Sequence, residues 1–262
     1  MRPPDFIQLG DGTRIRVLYE DRSVLALDKP AGWMLVPHSW QKTNRNLQAA
    51  IVSAIGAGVH WARTRQLRFL RYVHRLDAET SGVLLFAKSP GAVEAYGALF
   101  EDRRMEKLYL AVVTGRPTQA EWVCQQKLGP DPRQIGRVRV EATTGKEAET
   151  HFHVRAASAG QTLLEARPIT GRTHQIRVHA AASGWPIVGD PLYHPAAPRD
   201  PRRGAPAAQP ALGLRSVLLA YRNPFTREPV RITAPESEFL AQFGFASAAD
   251  PGKAPPRMAR GE

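Results

Sequence analysis

The sequence predicts an α+β fold: a mixed, largely antiparallel sheet with helices packed on it. Three observations carry this reading. Short strand-like runs outnumber helical periodicities, most runs join through brief turns, and two of them face each other across Ala159-Gly160 as a hairpin. A chain of 262 residues, 43% hydrophobic and 23% charged, can build one main core.

In chain order, Arg14 to Tyr19 and Val24 to Asp28 read as strands, the second closed by KPAG, where Pro30 and Gly32 enforce a turn. Asn44 to Ile55 reads as a helix because Leu47, Ile51 and Ile55 recur at four-residue spacing. A second helix carries Ala92, Val93, Tyr96, Leu99 and Phe100 on one face, a packing stripe. KLYLAVVTG, from Lys107, is a strand, and Arg137 to Val140 alternates charged and apolar residues. THFHVRAA and AGQTLLEARPI are the arms of the hairpin. TGRTHQIRVHAAASG is Ala-rich in its second half and ends at Gly184, the pattern of a helix stopped by glycine. His194 to Leu212 holds five prolines in nineteen residues and reads as a surface loop. The tail from Ala246 to Glu262 lacks apolar periodicity and is expected to be disordered, which leaves 1–245 as the single domain. No internal repeat is visible.

Charge narrows the class of partner. Lys and Arg total 36 against 24 Asp and Glu, a net charge of +12, and such an excess favours polyanions, nucleic acid above all. Cys124 is the only cysteine, so neither an intramolecular disulfide nor a Cys-rich zinc site is expected. The amino terminus has no apolar signal region and no run is long enough for a bilayer span, so the expectation is a cytoplasmic protein without membrane attachment.

The stretch YVHRLDAETSGVLLFAKS places Asp77 beside an apolar strand, where a carboxylate needs a cation or hydrogen-bond donors. The spacing of Asp77 and Glu79 does not support a glycosidase-like pair. His151 and His153 alternate on a strand, and His174 and His179, five apart, fall on different helix faces; no metal site is expected. No Gly-rich phosphate loop is present. A helix beginning near Thr173 would put His174, Arg177 and Val178 on one inward face, so Arg177 could reach Asp77; a purely structural ion pair would give the same pattern. HWARTRQLRFLRYVHR interleaves Arg63, Arg65, Arg68, Arg71 and Arg75 with Trp61, Phe69 and Tyr72. That is what phosphate contacts and base stacking call for, and equally what a solvated helix face with a few core aromatics looks like.

Taken together, HRLDAETSGVLLFAK, DKPAGWMLVPH, EKLYLAVVTG and EARPITGRTHQIRVHAAASGWPIVGDPLY resemble, in order, the motifs of the RluA-type family of RNA pseudouridine synthases. The resemblance implies conversion of uridine to pseudouridine in transfer or ribosomal RNA with no cofactor and no metal. It makes Asp77 the catalytic aspartate, Arg177 its cationic partner and Tyr109 the residue packed against the base. Arg75 would enter the RNA stack as uridine is flipped out. His74, Arg71, Arg68, Arg172 and His174 are expected to face RNA, and Lys29, Ile176 and Val178 to support the pocket. With 73 residues ahead of His74, a separate RNA-binding domain there is not expected, and a monomer is the default. The family's Leu-His-Ala is replaced here by Leu214-Arg215-Ser216.

Overall fold

The computed structural model describes residues 4–35, 45–195 and 211–245. Most of the expected 194–212 loop, the tail from Ala246 and the Val36-Pro37-His38 end of the first motif lie outside the described residues.

The chain runs β1 (Phe6–Gln8), β2 (Arg14–Glu20), β3 (Val24–Lys29), α1 (Leu47–Gly56), α2 (His60–Thr64), β4 (Arg71–Tyr72), β5 (Ser81–Ala87), α3 (Pro90–Glu101) and β6 (Glu106–Thr114). It continues through β7 (Glu121–Cys124), β8 (Leu128–Pro130), β9 (Val138–Val140), β10 (Thr150–Ser158), β11 (Gln161–Pro168), α4 (Gln175–Ala182), β12 (Leu214–Arg222), β13 (Pro229–Thr233) and α5 (Ser237–Gln242). Eleven strands form one sheet in the order β1-β2-β3-β5-β12-β6-β11-β10-β7, with β13 on β12 and β4 on β5; β8 and β9 pair separately. Every pairing in that sheet is antiparallel except β5 with β12, so the sheet is mixed and largely antiparallel. The β10–β11 hairpin turns at Ala159-Gly160, with Ser158 opposite Gln161.

Alternation along the strands separates two cores. Leu25 and Leu27 of β3, Leu84 and Phe86 of β5, and Tyr109, Ala111 and Val113 of β6 face one side, packed with α1, α2 and α4. Val24, Ala26, Val83, Leu85 and Ala87 face the other side beneath α3. Leu108, Leu110 and Val112 share that second side with Phe239 and Leu240 of α5. Buried on both faces, β5 reads as one continuous apolar run; truncating Phe86 to alanine there should cost about 3–5 kcal/mol.

The helices start where their side chains can cap them. Asn46 accepts from the Ala49 amide at 3.0 Å and opens α1 at Leu47; Asn44, where the sequence reading begins the helix, lies outside the described residues. Ser89 does the same for α3, with Pro90 in the first turn. α4 starts at Gln175 rather than near Thr173, and His174 sits before it in a left-handed conformation (φ 54°).

The basic and aromatic stretch does not form a single outward face. Trp61 is buried, its indole N–H donating to the Gln8 carbonyl at 2.8 Å. Arg65 turns inward to Glu20 (2.9 Å) and the Pro4 carbonyl, leaving its side chain 2% exposed. Arg68 and Arg71 are exposed.

Candidate active site

The site forms where β4 ends. After two residues paired with β5, the Val73 amide donates to the Leu85 carbonyl, and the Leu85 amide then donates to Nε2 of His74 at 3.1 Å. The imidazole replaces a backbone carbonyl, so the ladder stops and the chain leaves the sheet through Arg75, Leu76 and Asp77. Only an unprotonated ring nitrogen can accept that bond. Burial, with the Lys107 charge adding to it, pushes His74 down to about 3. The ring stacks on Phe100 at 4.6 Å. His74 therefore borders the cavity as a neutral ring.

The loop after Asp77 is tied down from below. The Lys29 ammonium, fully buried, donates to the carbonyls of Pro30 (3.0 Å), Ala78 (2.8 Å) and Thr80 (2.7 Å), which uses all three of its N–H groups. The Gly32 amide also donates to Ala78. Gly82 has φ +109°, and a Cβ there would lie 1.9 Å from the Ser216 carbonyl oxygen, so the approach of β5 to β12 requires glycine. Arg215, which replaces the family histidine, bonds Asp28 (2.8 Å), Ser81 (3.2 Å) and the Pro235 carbonyl (2.9 Å) beside that crossing.

From the opposite side, α4 delivers Arg177. Its Nη1 donates to Asp77 Oδ2 at 3.1 Å, while Nε and Nη2 grip Asp190 in a two-point contact, both at 2.8 Å. Asp190 Oδ1 also accepts from the amides of Leu192 and Tyr193. Burial opposes the charge on Arg177, but the hydrogen bonds and charges of Asp190 and Asp77 outweigh it and raise its pKa. Burial likewise opposes ionisation of Asp190, and Arg177 with the two amides holds it below the usual carboxylate range. Two carboxylates and one guanidinium leave the cluster with a net negative charge. Asp190 neutralises Arg177, so Asp77 is oriented by the arginine without being fully paired off. Its side chain is 22% exposed, against 2% for Arg177.

The other Asp77 oxygen lies 3.9 Å from His174 Nε2. His174 Nδ1 is 2.8 Å from the Tyr193 hydroxyl, which also accepts from the Val138 amide. Burial lowers the His174 pKa in spite of the Asp77 charge, so the ring is neutral at physiological pH. Tyr109 projects from β6 beside Asp77; burial, reinforced by the Asp77 charge, pushes its phenol up to about 12. At neutral pH it is a hydroxyl donor, not a phenolate base.

These groups border a cavity of about 550 Å³. Of the residues expected from sequence, Asp77, Tyr109, Arg177, Arg75, His74, Arg172, His174 and Ile176 line it. Arg68, Arg71, Lys29 and Val178 do not, and Lys29 acts on the site from beneath through the loop carbonyls. Val178 packs instead against Leu128 and Ala148, because α4 starts late and residues 177 and 178 are about 100° apart around a helix. Asp190, Tyr193 and Lys107 had no role assigned from sequence, although each stands in a quoted motif. A carboxylate between Gly189 and Pro191 in an apolar stretch was the available signal for Asp190. Among the described residues no group of three His, Cys, Asp or Glu side chains could hold a metal, and no helix is long and apolar enough to cross a membrane.

The fold has a solved counterpart. Human RNA Pseudouridylate Synthase Domain Containing 1 matches with a TM-score of 0.65 at 26% identity, over 87% of this chain and 86% of that one. The mixed sheet is thus that of a pseudouridylate synthase domain. A family model described as RNA pseudouridylate synthase matches residues 23–182. Ribosomal large subunit pseudouridine synthase C of Vibrio vulnificus (strain CMCP6) is 35% identical over 230 residues, 86% of this chain and 66% of that protein. Ribosomal large subunit pseudouridine synthase D of Xylella fastidiosa (strain Temecula1 / ATCC 700964) is 36% identical over 240 residues, 87% of this chain and 67% of that protein. The chain spans about two thirds of the length of these curated relatives, and it belongs to the RNA pseudouridine synthase family, RluA type.

Proposed function

We propose that this protein isomerises one or a few uridines in structured RNA to pseudouridine, with Asp77 as the catalytic residue. The observation that carries the reading is the Asp77 carboxylate, held at 3.1 Å by an arginine already neutralised by Asp190 and open to a cavity that Tyr109 also lines. The reaction breaks the bond from ribose C1′ to uracil N1, turns the base and joins C1′ to C5. C5 loses a proton and N1, freed from C1′, gains one, so no electrons are exchanged with a partner and no cofactor is called for. The exposed edge of Asp77 serves attack at C1′ or removal of a ribose proton equally well.

A uridine must leave its stack to reach Asp77, at a cost of a few kcal/mol. Arg75, exposed and lining the cavity, is the side chain assigned to fill the gap, and Arg172, also exposed and lining it, adds a second cation. Ribosomal RNA is the first substrate to test, because the relatives above are named for the ribosomal large subunit; transfer RNA is the second. The protein acts as a monomer in the cytoplasm.

Purified protein incubated with large-subunit ribosomal RNA transcripts, and separately with unmodified transfer RNA, should generate pseudouridine detectable by mass spectrometry. Asp77→Asn should bind RNA and convert none. Conversion by Asp77→Asn at the wild-type rate, or none by the wild type on either pool, would overturn the assignment.

A further inference from the structure

Among the described residues Lys107 makes no ion pair, and it is partly buried where Arg75, Arg103 and Arg172 of the same cavity are exposed. Lys107 lies two positions before Tyr109 on β6, so both side chains project from the same face of the strand, and both line the cavity that holds Asp77. Its ammonium has a single acceptor, the Thr170 carbonyl at 2.9 Å. Two of its three donors are left over. Thr170 is itself fixed, its hydroxyl donating to Gln175 Oε1 at 2.6 Å, so the tether holds Lys107 at the start of α4 rather than free in solvent.

No carboxylate among the described residues approaches the ammonium. Asp77 is engaged by Arg177, Glu101 lines the cavity without an ion pair to Lys107, and the other charged neighbours are Arg75, Arg103 and Arg172. Burial lowers the Lys107 pKa to about 8 with no charge offsetting it. A half-buried ammonium that has lost solvent and gained no anion is a poor structural choice, and an arriving anion restores what it lost. The anion an RNA substrate brings is its backbone.

We propose that Lys107 anchors a phosphodiester flanking the extruded uridine, and so sets how deeply the nucleotide enters before its ribose meets Asp77. The proposal rests on the pseudouridine synthase reading and adds to it a phosphate subsite in the wall of the cavity that Asp77 and Arg177 also line.

The test uses an RNA that the wild type converts, prepared with an uncharged methylphosphonate at the phosphate 5′ or 3′ to the target uridine. Binding and single-turnover conversion are measured for wild type, Lys107→Gln, Lys107→Met and Lys107→Arg. On natural RNA, Lys107→Gln should bind about tenfold more weakly, the worth of one charge-assisted hydrogen bond. Its log Kd against log salt should be shallower by about 0.7. At one of the two phosphates the methylphosphonate should weaken wild type to a similar extent and add nothing in Lys107→Gln or Lys107→Met, while Lys107→Arg follows wild type. A merely structural tie to Thr170 would lower the melting temperature and leave that coupling absent. Equal methylphosphonate penalties in wild type and both neutral variants at both positions would overturn the anchor alone. A wild type that converts no RNA would overturn the activity reading and take the anchor with it.

Discussion

Lys29 lies beneath the Asp77 loop and Lys107 lines the cavity that Asp77 faces, and burial lowers both to about 8, yet their surroundings differ. Lys29 is fully buried and spends its three N–H groups on three carbonyls of the loops around Asp77. Lys107 faces the cavity and spends one. Burial and a lowered pKa therefore do not separate a structural lysine from a binding one. The number of satisfied donors does, because an ammonium saturated by fixed carbonyls has nothing left to offer a ligand.

The contrast makes predictions of graded size. Lys29→Met takes the ammonium from three carbonyls, of which Ala78 keeps the Gly32 amide while Pro30 and Thr80 lose a donor at about 1–3 kcal/mol each, a large fraction of the stability of an ordinary domain, and thermal denaturation checks it. A variant melting within a few degrees of wild type would break the comparison. Asp190→Ala removes both partners of the Arg177 fork and leaves a buried guanidinium held only by Asp77. It should cost about 3–5 kcal/mol and reduce turnover as well, read from a denaturant titration and a single-turnover assay on one preparation.

Acid acts through the neutral histidines. His74, His174 and His179 are all lowered by burial, so the unfolded chain takes up protons below about 6.5 that the folded chain does not. The stability they contribute is fully present above that value and is lost as pH falls, by up to about 1.4 kcal/mol per pH unit for each group until its folded pKa is reached. Melting temperature should therefore drop steadily from pH 7 to pH 5. A flat profile over that range would contradict the assigned neutral rings. Tyr109→Phe, which deletes a hydroxyl and keeps the ring, should lower kcat and shift stability by no more than about 1 kcal/mol. Lys107→Met should have the smallest effect on folding, within about 1 kcal/mol, the opposite of Lys29→Met.

Much of this architecture is written locally. The unbroken apolar run of β5, the turn at Ala159-Gly160 and the glycine stop at Gly184 are short-range signals, and each has its counterpart in the structure. Asp77 stands out because a carboxylate beside such a strand needs a partner, and helix α4 supplies Arg177 across a separation of 100 residues. What escaped the sequence depends on contacts formed only by the fold. The left-handed turn at His174 delays α4 and sends Val178 toward Leu128 instead of the cavity. Arg65 and Trp61 have the residue types of an RNA-binding face, but Glu20 and the Gln8 carbonyl, supplied by distant β-strands, draw them inward. The role of His74 in ending the β4 ladder, where its Nε2 accepts from the Leu85 amide, likewise appears only in the fold. Arg215 departs from the family residue, and the compensating partners Asp28 and Ser81 are brought to it by neighbouring strands.

The most direct test of the central claim is pseudouridine mapping across total RNA from cells lacking this gene, complemented with wild type or with Asp77→Ala. One or a few sites should vanish on deletion, return with wild type and stay absent with Asp77→Ala. An unchanged map, or restoration of the sites by Asp77→Ala, would contradict an Asp77-dependent synthase.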